Sequence, residues 1–201
     1  MRTGWRKTAL LLALLGASAA AQGPPRSRAA LRPFFPLAVG NRWVYQEVAS
    51  NMGGFRTVEV VSTRQWNGNT YYELTGFGGE TAWVRQTPEG ALVEYDPAAG
   101  EEKLWYAFLS SQPWSSRLSL PCLGQAEIVK RGEALRTGAE TFPGGLVIRY
   151  ANNRCADAGL IEEAFAPGVG LVRRSELTIA GPRIYELYYA RVNGREIGSP
   201  P

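Results

Sequence analysis

Few residues in this sequence could do chemistry. Histidine is absent from all 201 positions. That excludes a Ser-His-Asp triad, a Cys-His pair, a His-bearing zinc site and an imidazole pH switch. Cysteine occurs only at Cys122 and Cys155. Two cysteines without histidine cannot make a four-ligand zinc site, and their spacing is not the C-x-x-C of a redox pair. In an oxidising compartment two thiols in one domain pair, so a Cys122–Cys155 disulfide is expected. Closing that loop would restrict the unfolded chain by roughly 3–4 kcal/mol on chain-entropy grounds. Two buried free thiols are the alternative.

Acidic residues stand in adjacent pairs, Glu101-Glu102 and Glu162-Glu163. A glycosidase needs two carboxylates facing each other across a cleft, about 5–10 Å apart. Neighbours on a strand point to opposite faces, so neither pair is catalytic by itself and both read as solvated edges. Arg173-Arg174 likewise reads as a solvated strand end or turn. Beyond residue 21 the only lysines are Lys103 and Lys130. There is no S-x-x-K motif, nucleophile elbow, Walker loop, dinucleotide fingerprint or D-x-D-x-D-G calcium loop. The glycine-rich turn Gly76–Gly79 lacks the following helix that phosphate binding uses. No catalytic, cofactor-binding or metal-binding residue is assigned, and no cofactor is expected.

Aromatic rings are the remaining resource. Trp43, Trp66, Trp83, Trp105 and Trp114 suit strands and cores, and also sugar, lipid or peptide grooves. Each reads first as core. Trp114 follows Pro113 in the serine-rich stretch Ser110–Ser116, which makes it the candidate for an exposed surface contact.

The N-terminus explains the basic charge. Arg2, Arg6 and Lys7 precede an apolar run, Thr8–Leu15, and small residues ending Ala19-Ala20-Ala21. This is the layout of a secretory signal peptide over residues 1–21, cut after Ala21 or Ala19. The run is shorter than the roughly 20 residues that span a bilayer, and no later segment reads as a membrane span. The whole chain has 22 basic and 18 acidic residues. Without residues 1–21 it has 19 basic against the same 18, and from Phe34 onward 16 against 18. Nucleic-acid binding needs a concentrated positive footprint, which the folded part lacks. Residues 22–33, rich in Pro, Arg and Ala, read as a flexible linker.

From Phe34 turn signals recur every 8–15 residues, among them Asn67-Gly68, Gly144-Gly145, Gly181-Pro182 and Asn193-Gly194. Between them lie runs rich in Val, Thr, Tyr and Trp. Strands are expected at 42–48, 55–65, 70–77, 82–87, 91–95, 103–108, 126–130, 146–150, 162–165, 170–179 and 183–192. No sustained helical spacing appears. The expected fold is all-β, a single domain over 34–198 whose large antiparallel twisted sheet curls into a barrel, half-barrel or sandwich. Alternation is imperfect. In 184–192 one face carries Ile184, Glu186, Tyr188, Ala190 and Val192, the other Tyr185, Leu187, Tyr189 and Arg191. Both faces are partly apolar, so either both are covered or one lines an apolar space.

Three stretches resemble a group of exported bacterial β-proteins and lipoproteins of uncharacterised function, the TapB-like set. They are Phe35-Pro36-Leu37-Ala38-Val39-Gly40-Asn41-Arg42-Trp43-Val44-Tyr45, Thr141-Phe142-Pro143-Gly144-Gly145-Leu146-Val147 and Phe165-Ala166-Pro167-Gly168-Val169-Gly170-Leu171-Val172. The second departs from the group's usual turn, and the lipobox cysteine of many such proteins is absent, so no lipid tether is implied. The resemblance brings no catalytic residue. Physically, Trp43 and Tyr45 turn one face of the first strand into the core, and Gly168 and Gly170 mark a bend where a side chain would not fit.

The expected function is a non-enzymatic exported module, periplasmic or extracellular, that binds an apolar ligand or an envelope protein. A secreted inhibitor or adhesion-type domain working through 110–116 and a carboxylate-based hydrolase are the alternatives.

Overall fold

Short turns with positive φ fold the chain back on itself strand after strand. Asn67 (φ +50°) and Gly68 (φ +75°) close one hairpin, and Asn193 (φ +51°) and Gly194 (φ +79°) close another. Both are the tight Asn-Gly turn whose twist matches the flanking strands. The computed structural model describes residues 32–49, 53–77, 80–118, 122–151, 155 and 158–201. The expected signal peptide, 1–21, and residues 22–31 of the expected linker lie outside the described residues.

Among the described residues the chain forms thirteen strands and no helix. They are β1 (Arg42–Glu47), β2 (Phe55–Trp66), β3 (Asn69–Phe77), β4 (Glu80–Gln86), β5 (Leu92–Asp96), β6 (Glu101–Tyr106), β7 (Trp114–Ser115), β8 (Gln125–Arg136), β9 (Thr141–Ala151), β10 (Gly159–Ala166), β11 (Gly170–Thr178), β12 (Gly181–Val192) and β13 (Arg195–Gly198). One antiparallel sheet contains them in the order β6-β5-β4-β3-β2-β1-β12-β11-β10-β9-β8-β7, with β13 added to β12. Every pairing joins sequence neighbours except β1 with β12. The two ends of the sheet meet just after β7: the Arg117 amide donates to the Leu104 carbonyl at 2.7 Å, and the Ser116 hydroxyl to the Trp105 carbonyl at 2.7 Å. Arg131 on β8 reaches across and donates to the Phe108 and Ser110 carbonyls at 2.9 and 2.8 Å. The result is a nearly closed up-and-down barrel, an arrangement that removes most of the exposed sheet edge.

The all-β expectation holds, and all eleven expected strands are present. Two short strands, β7 and β13, were not expected, and β8 and β9 run well past their expected bounds. Gly144-Gly145, expected as a turn, lies within β9. A Cβ on Gly145 would sit 2.4 Å from the Leu135 side chain, so this glycine allows a close approach of β8 instead of a reversal. The mixed faces of β12 come from a bulge. Val44 pairs with Tyr189 and Tyr45 with Leu187, leaving Tyr188 unopposed. The extra residue exchanges the two faces. Tyr185 and Leu187 point inward before it, Ala190 and Val192 after it, and all four belong to the core.

Phe35 covers that core, packed on Trp43 and edge-on to Phe77. Trp43 and Tyr45 reach from β1 past β12 to β11. The Trp43 indole N–H donates to the Val169 carbonyl at 2.7 Å and the Tyr45 hydroxyl to the Leu171 carbonyl at 3.0 Å, both buried. At Gly170 φ is +115°, and an added Cβ would lie 3.1 Å from Trp43 Nε1.

Gly170→Ala should therefore lose about 2 kcal/mol from strain and crowding, a fall of roughly 4–8 °C in Tm for a domain of this size. Gly181→Ala supplies the reference, because φ there is +102° but nothing lies within 4 Å of the added Cβ. Thermal unfolding of both should show the larger fall at 170; equal falls would mean that Trp43 does not constrain that turn.

Candidate functional site

The two cysteines are joined. Cys122 and Cys155 form a disulfide with their Cα atoms 5.4 Å apart, tying the β7–β8 connection to the β9–β10 connection. Trp114 is not an exposed contact. It is 8% exposed, packs in the core, and donates its indole N–H to the Trp105 carbonyl at 3.3 Å. The polar loop around it misled the sequence reading: Ser111, Gln112 and Pro113 face solvent, while the chain turns into β7 and drives the indole inward to join the ends of the sheet.

The acidic pairs split across the sheet, as neighbours on a strand must. Glu162 is half-buried between Arg149 and Arg173, at 3.7 and 3.5 Å. Glu163 is fully buried, and so is Arg174, its cross-strand partner. The expectation of solvated edges fails at these two positions. Two register shifts in the β10–β11 pairing, on either side of this pair, reset which side chains face the interior. Arg174 Nη2 lies 2.6 Å and Nε 2.8 Å from one Glu163 oxygen, and the Tyr150 hydroxyl donates to the other at 2.5 Å. The guanidinium also stacks 4.3 Å from the Phe77 ring centre. Toward the surface Glu176 sits between Arg174 Nη1 (3.7 Å) and Arg56 Nη1 (3.4 Å).

Burial pushes the hydroxyls of Tyr45, Tyr106 and Tyr150 far above their ordinary pKa, with the Glu163 charge adding to the rise. Burial works against the Arg174 charge, but Glu163 outweighs it and holds the guanidinium more firmly protonated. The Tyr106 hydroxyl makes no well-formed hydrogen bond among the described residues. The adjoining cleft, lined by Tyr45, Arg56, Phe77, Leu171, Arg174 and Tyr185 among others, encloses about 20 Å³, room for one water. A carboxylate with both oxygens engaged, facing a guanidinium instead of a second acid, offers neither a general base nor a glycosidase pair. Among the described residues no three His, Cys, Asp or Glu side chains are grouped to hold a metal.

A second cluster lies on the outer face. Trp66, Tyr71, Trp83 and Tyr95 stand on β2, β3, β4 and β5 with ring centres 5.0–5.6 Å apart. Tyr71 and Tyr95 are buried, yet neither belongs to the barrel core. They form a floor under the half-buried Trp66, and the half-buried Trp83 packs against Trp66. Arg64 holds its guanidinium 5.2 and 6.0 Å from the two indole centres. Arg85 grips Glu102 with two hydrogen bonds of 2.6 and 2.8 Å, and the Tyr71 hydroxyl donates to the same carboxylate at 2.5 Å. Burial would raise the Glu102 pKa, but those hydrogen bonds prevail and lower it. Glu73 accepts from the Ser62 hydroxyl at 2.6 Å. Sequence reading placed Trp66 and Trp83 in the core. The alternation of Arg64 with Trp66 and of Trp83 with Arg85 is the signal that puts each pair on one outer face.

Fold and sites together define, among the described residues, an up-and-down β-barrel with an aromatic-rich core and an aromatic outer cluster. No protein-family model matches the sequence, so the TapB-like likeness stands on its three stretches alone, and no curated protein is significantly similar. Two solved structures are similar. One is a "putative lipoprotein" from Parabacteroides distasonis ATCC 8503, at 13% identity and TM-score 0.43, covering 78% of this chain and 97% of its own. The other is a "putative exported protein with YmcC-like fold" from Bacteroides fragilis NCTC 9343, also at 13% identity and TM-score 0.43, covering 82% of this chain and 99% of its own. Likeness this distant says nothing of function.

Two measurements follow from the interior cluster. Removing one partner of the buried pair, as in Arg174→Met, should cost about 3–5 kcal/mol, whereas Glu163→Leu with Arg174→Met should recover most of the loss. Denaturant titrations of the singles and the double would close that cycle, and additive losses would count against a mutually dependent pair. Alkaline titration tests the tyrosines. Their folded pKa values lie above the unfolded value of about 10, so their contribution is intact below about pH 10 and falls as pH rises beyond it, by about 1.4 kcal/mol per pH unit for each. Tyr45→Phe should make the decline shallower, and the part of the tyrosinate absorbance that this substitution removes should appear together with unfolding; that same part appearing in the folded state near pH 10 would contradict the assignment.

Proposed function

We propose that this chain is a non-enzymatic exported protein of the bacterial envelope or exterior, and that it works by binding at its outer surface. In this reading residues 1–21 are cleaved, 22–33 form a linker, and 34–198 form the binding domain. The carrying observation is the pairing of a core packed with large aromatic side chains among the described residues with the solvent-facing Trp66 and Trp83 outside that core. A carrier of an apolar ligand uses a cavity of roughly 300 Å³ or more, whereas the cleft beside Arg174 encloses about 20 Å³. The Cys122–Cys155 bond supports folding in an oxidising compartment. The inhibitor or adhesion reading through 110–116 loses its aromatic anchor, since Trp114 is buried.

Native mass spectrometry of protein purified from its own envelope tests this. The expected species starts after Ala21 or Ala19, lacks two hydrogens at the cysteines and holds no lipid inside. A stoichiometric, tightly retained apolar molecule would restore the carrier, and a chain starting at Met1 would remove the export assignment.

A further inference from the structure

Resting on that outer-surface reading, we propose that the cluster built on Trp66 and Trp83 is a platform for a saccharide chain of low net charge. Buried Tyr71 and Tyr95 prop the Trp66 indole from beneath, and Trp83, cross-strand from Tyr95, packs edge-on against Trp66. The Trp66 and Trp83 rings meet nearly at right angles, 88° apart with centres 5.0 Å from each other. The platform is therefore held before any ligand arrives, and little side-chain freedom is left to lose on binding. The apolar C–H faces of a sugar ring pack on such indoles, and polar side chains at the rim read its hydroxyls.

The rim has the required mixture. Arg64 stacks on the indoles and makes no ion pair among the described residues, so its fork of donors is available. Glu73, cross-strand from Trp83, supplies an acceptor, and Arg85 with Glu102 forms a closed, fixed pair. Two arginines and two glutamates leave the cluster balanced. A sugar hydroxyl both donates and accepts, so it suits this mixture. An acidic partner would meet Glu73 and Glu102 beside the arginines. An extended peptide is also a poorer match: Tyr71, Trp83 and Tyr95 lie on β3, β4 and β5, each paired on both sides, so those strands have no free backbone to extend the sheet.

Isothermal titration of the full chain with hexasaccharides of β-linked glucose and of β-linked N-acetylglucosamine tests the proposal. At least one should bind, with a Kd unchanged within about twofold between low and high salt, because exposed charge attraction would be screened. Trp66→Ala and Trp83→Ala should each weaken binding about tenfold or more, while Phe55→Ala, an exposed ring packed on Tyr188, should leave it unchanged. Thermal unfolding of each variant shows whether the fold is kept, and Trp66→Phe, which retains a ring, should recover part of the affinity. Binding of neither sugar, binding that disappears with salt, or binding indifferent to both tryptophans would overturn the platform. The outer-surface reading fails separately, by the retained interior ligand described above.

Discussion

Two buried hydrogen bonds hold the ends of the domain together. Trp43 and Tyr45 donate to the carbonyls of Val169 and Leu171, 126 residues away in each case. Those carbonyls lie where β11 begins and β13 has taken the place beside β12, so the ladder there is incomplete. A buried carbonyl without a partner would cost about 1–3 kcal/mol. The rings meet that need and fix β1 against β11 across β12. The β1–β12 seam is the one pairing that sequence adjacency does not provide, and it joins two meanders of six strands. The Gly168 amide donates to the Pro33 carbonyl at 2.8 Å, so the segment before β1 is drawn to the same turn. The stretches 35–45 and 165–172 are thus the two halves of one contact.

Bulges decide which side chains the barrel encloses. Without the unopposed Tyr188, β12 would present Tyr189 and Arg191 to the core where it now presents Ala190 and Val192. Irregularities on both sides of Glu163 and Arg174 place a charged pair among aromatic rings. Burying two ions is expensive, and pairing them only roughly repays the cost. The pair therefore marks orientation more than stability: a carboxylate needing Arg174 and Tyr150 together ties β9, β10 and β11 in one register.

These devices explain what the sequence could and could not reveal. Strand positions were legible because turn signals and β-branched runs are local. The disulfide was legible because a chain with two cysteines offers one pairing within itself. Gly144-Gly145 was misread as a turn because a glycine that admits Leu135 looks the same as one that reverses the chain. Trp114 was misread because its neighbours are polar while its own environment is set by β6 and β8. Glu163 and Arg174 were misread because the bulges that turn them inward involve partners on other strands. The outer rings were missed for the same reason: Trp66, Tyr71, Trp83 and Tyr95 lie on four strands, and only the register brings them together.

The core and the outer face of the barrel differ in what they leave open to solvent. Side chains as large as Trp43, Trp105, Tyr106 and Phe165 are buried in the barrel core, so a ligand among them would have to displace packed rings. The outer face carries no such penalty. The strands that carry Trp66 and Trp83 are fixed by neighbours, and Tyr71 below Trp66 is anchored in turn: it is bound to Glu102, and Glu102 to Arg85. The interior gives up its volume to make the sheet rigid, and the rigid sheet holds aromatic rings at fixed spacing in water. A surface of that kind gains affinity by being ready, because the freedom of its side chains was already lost in folding.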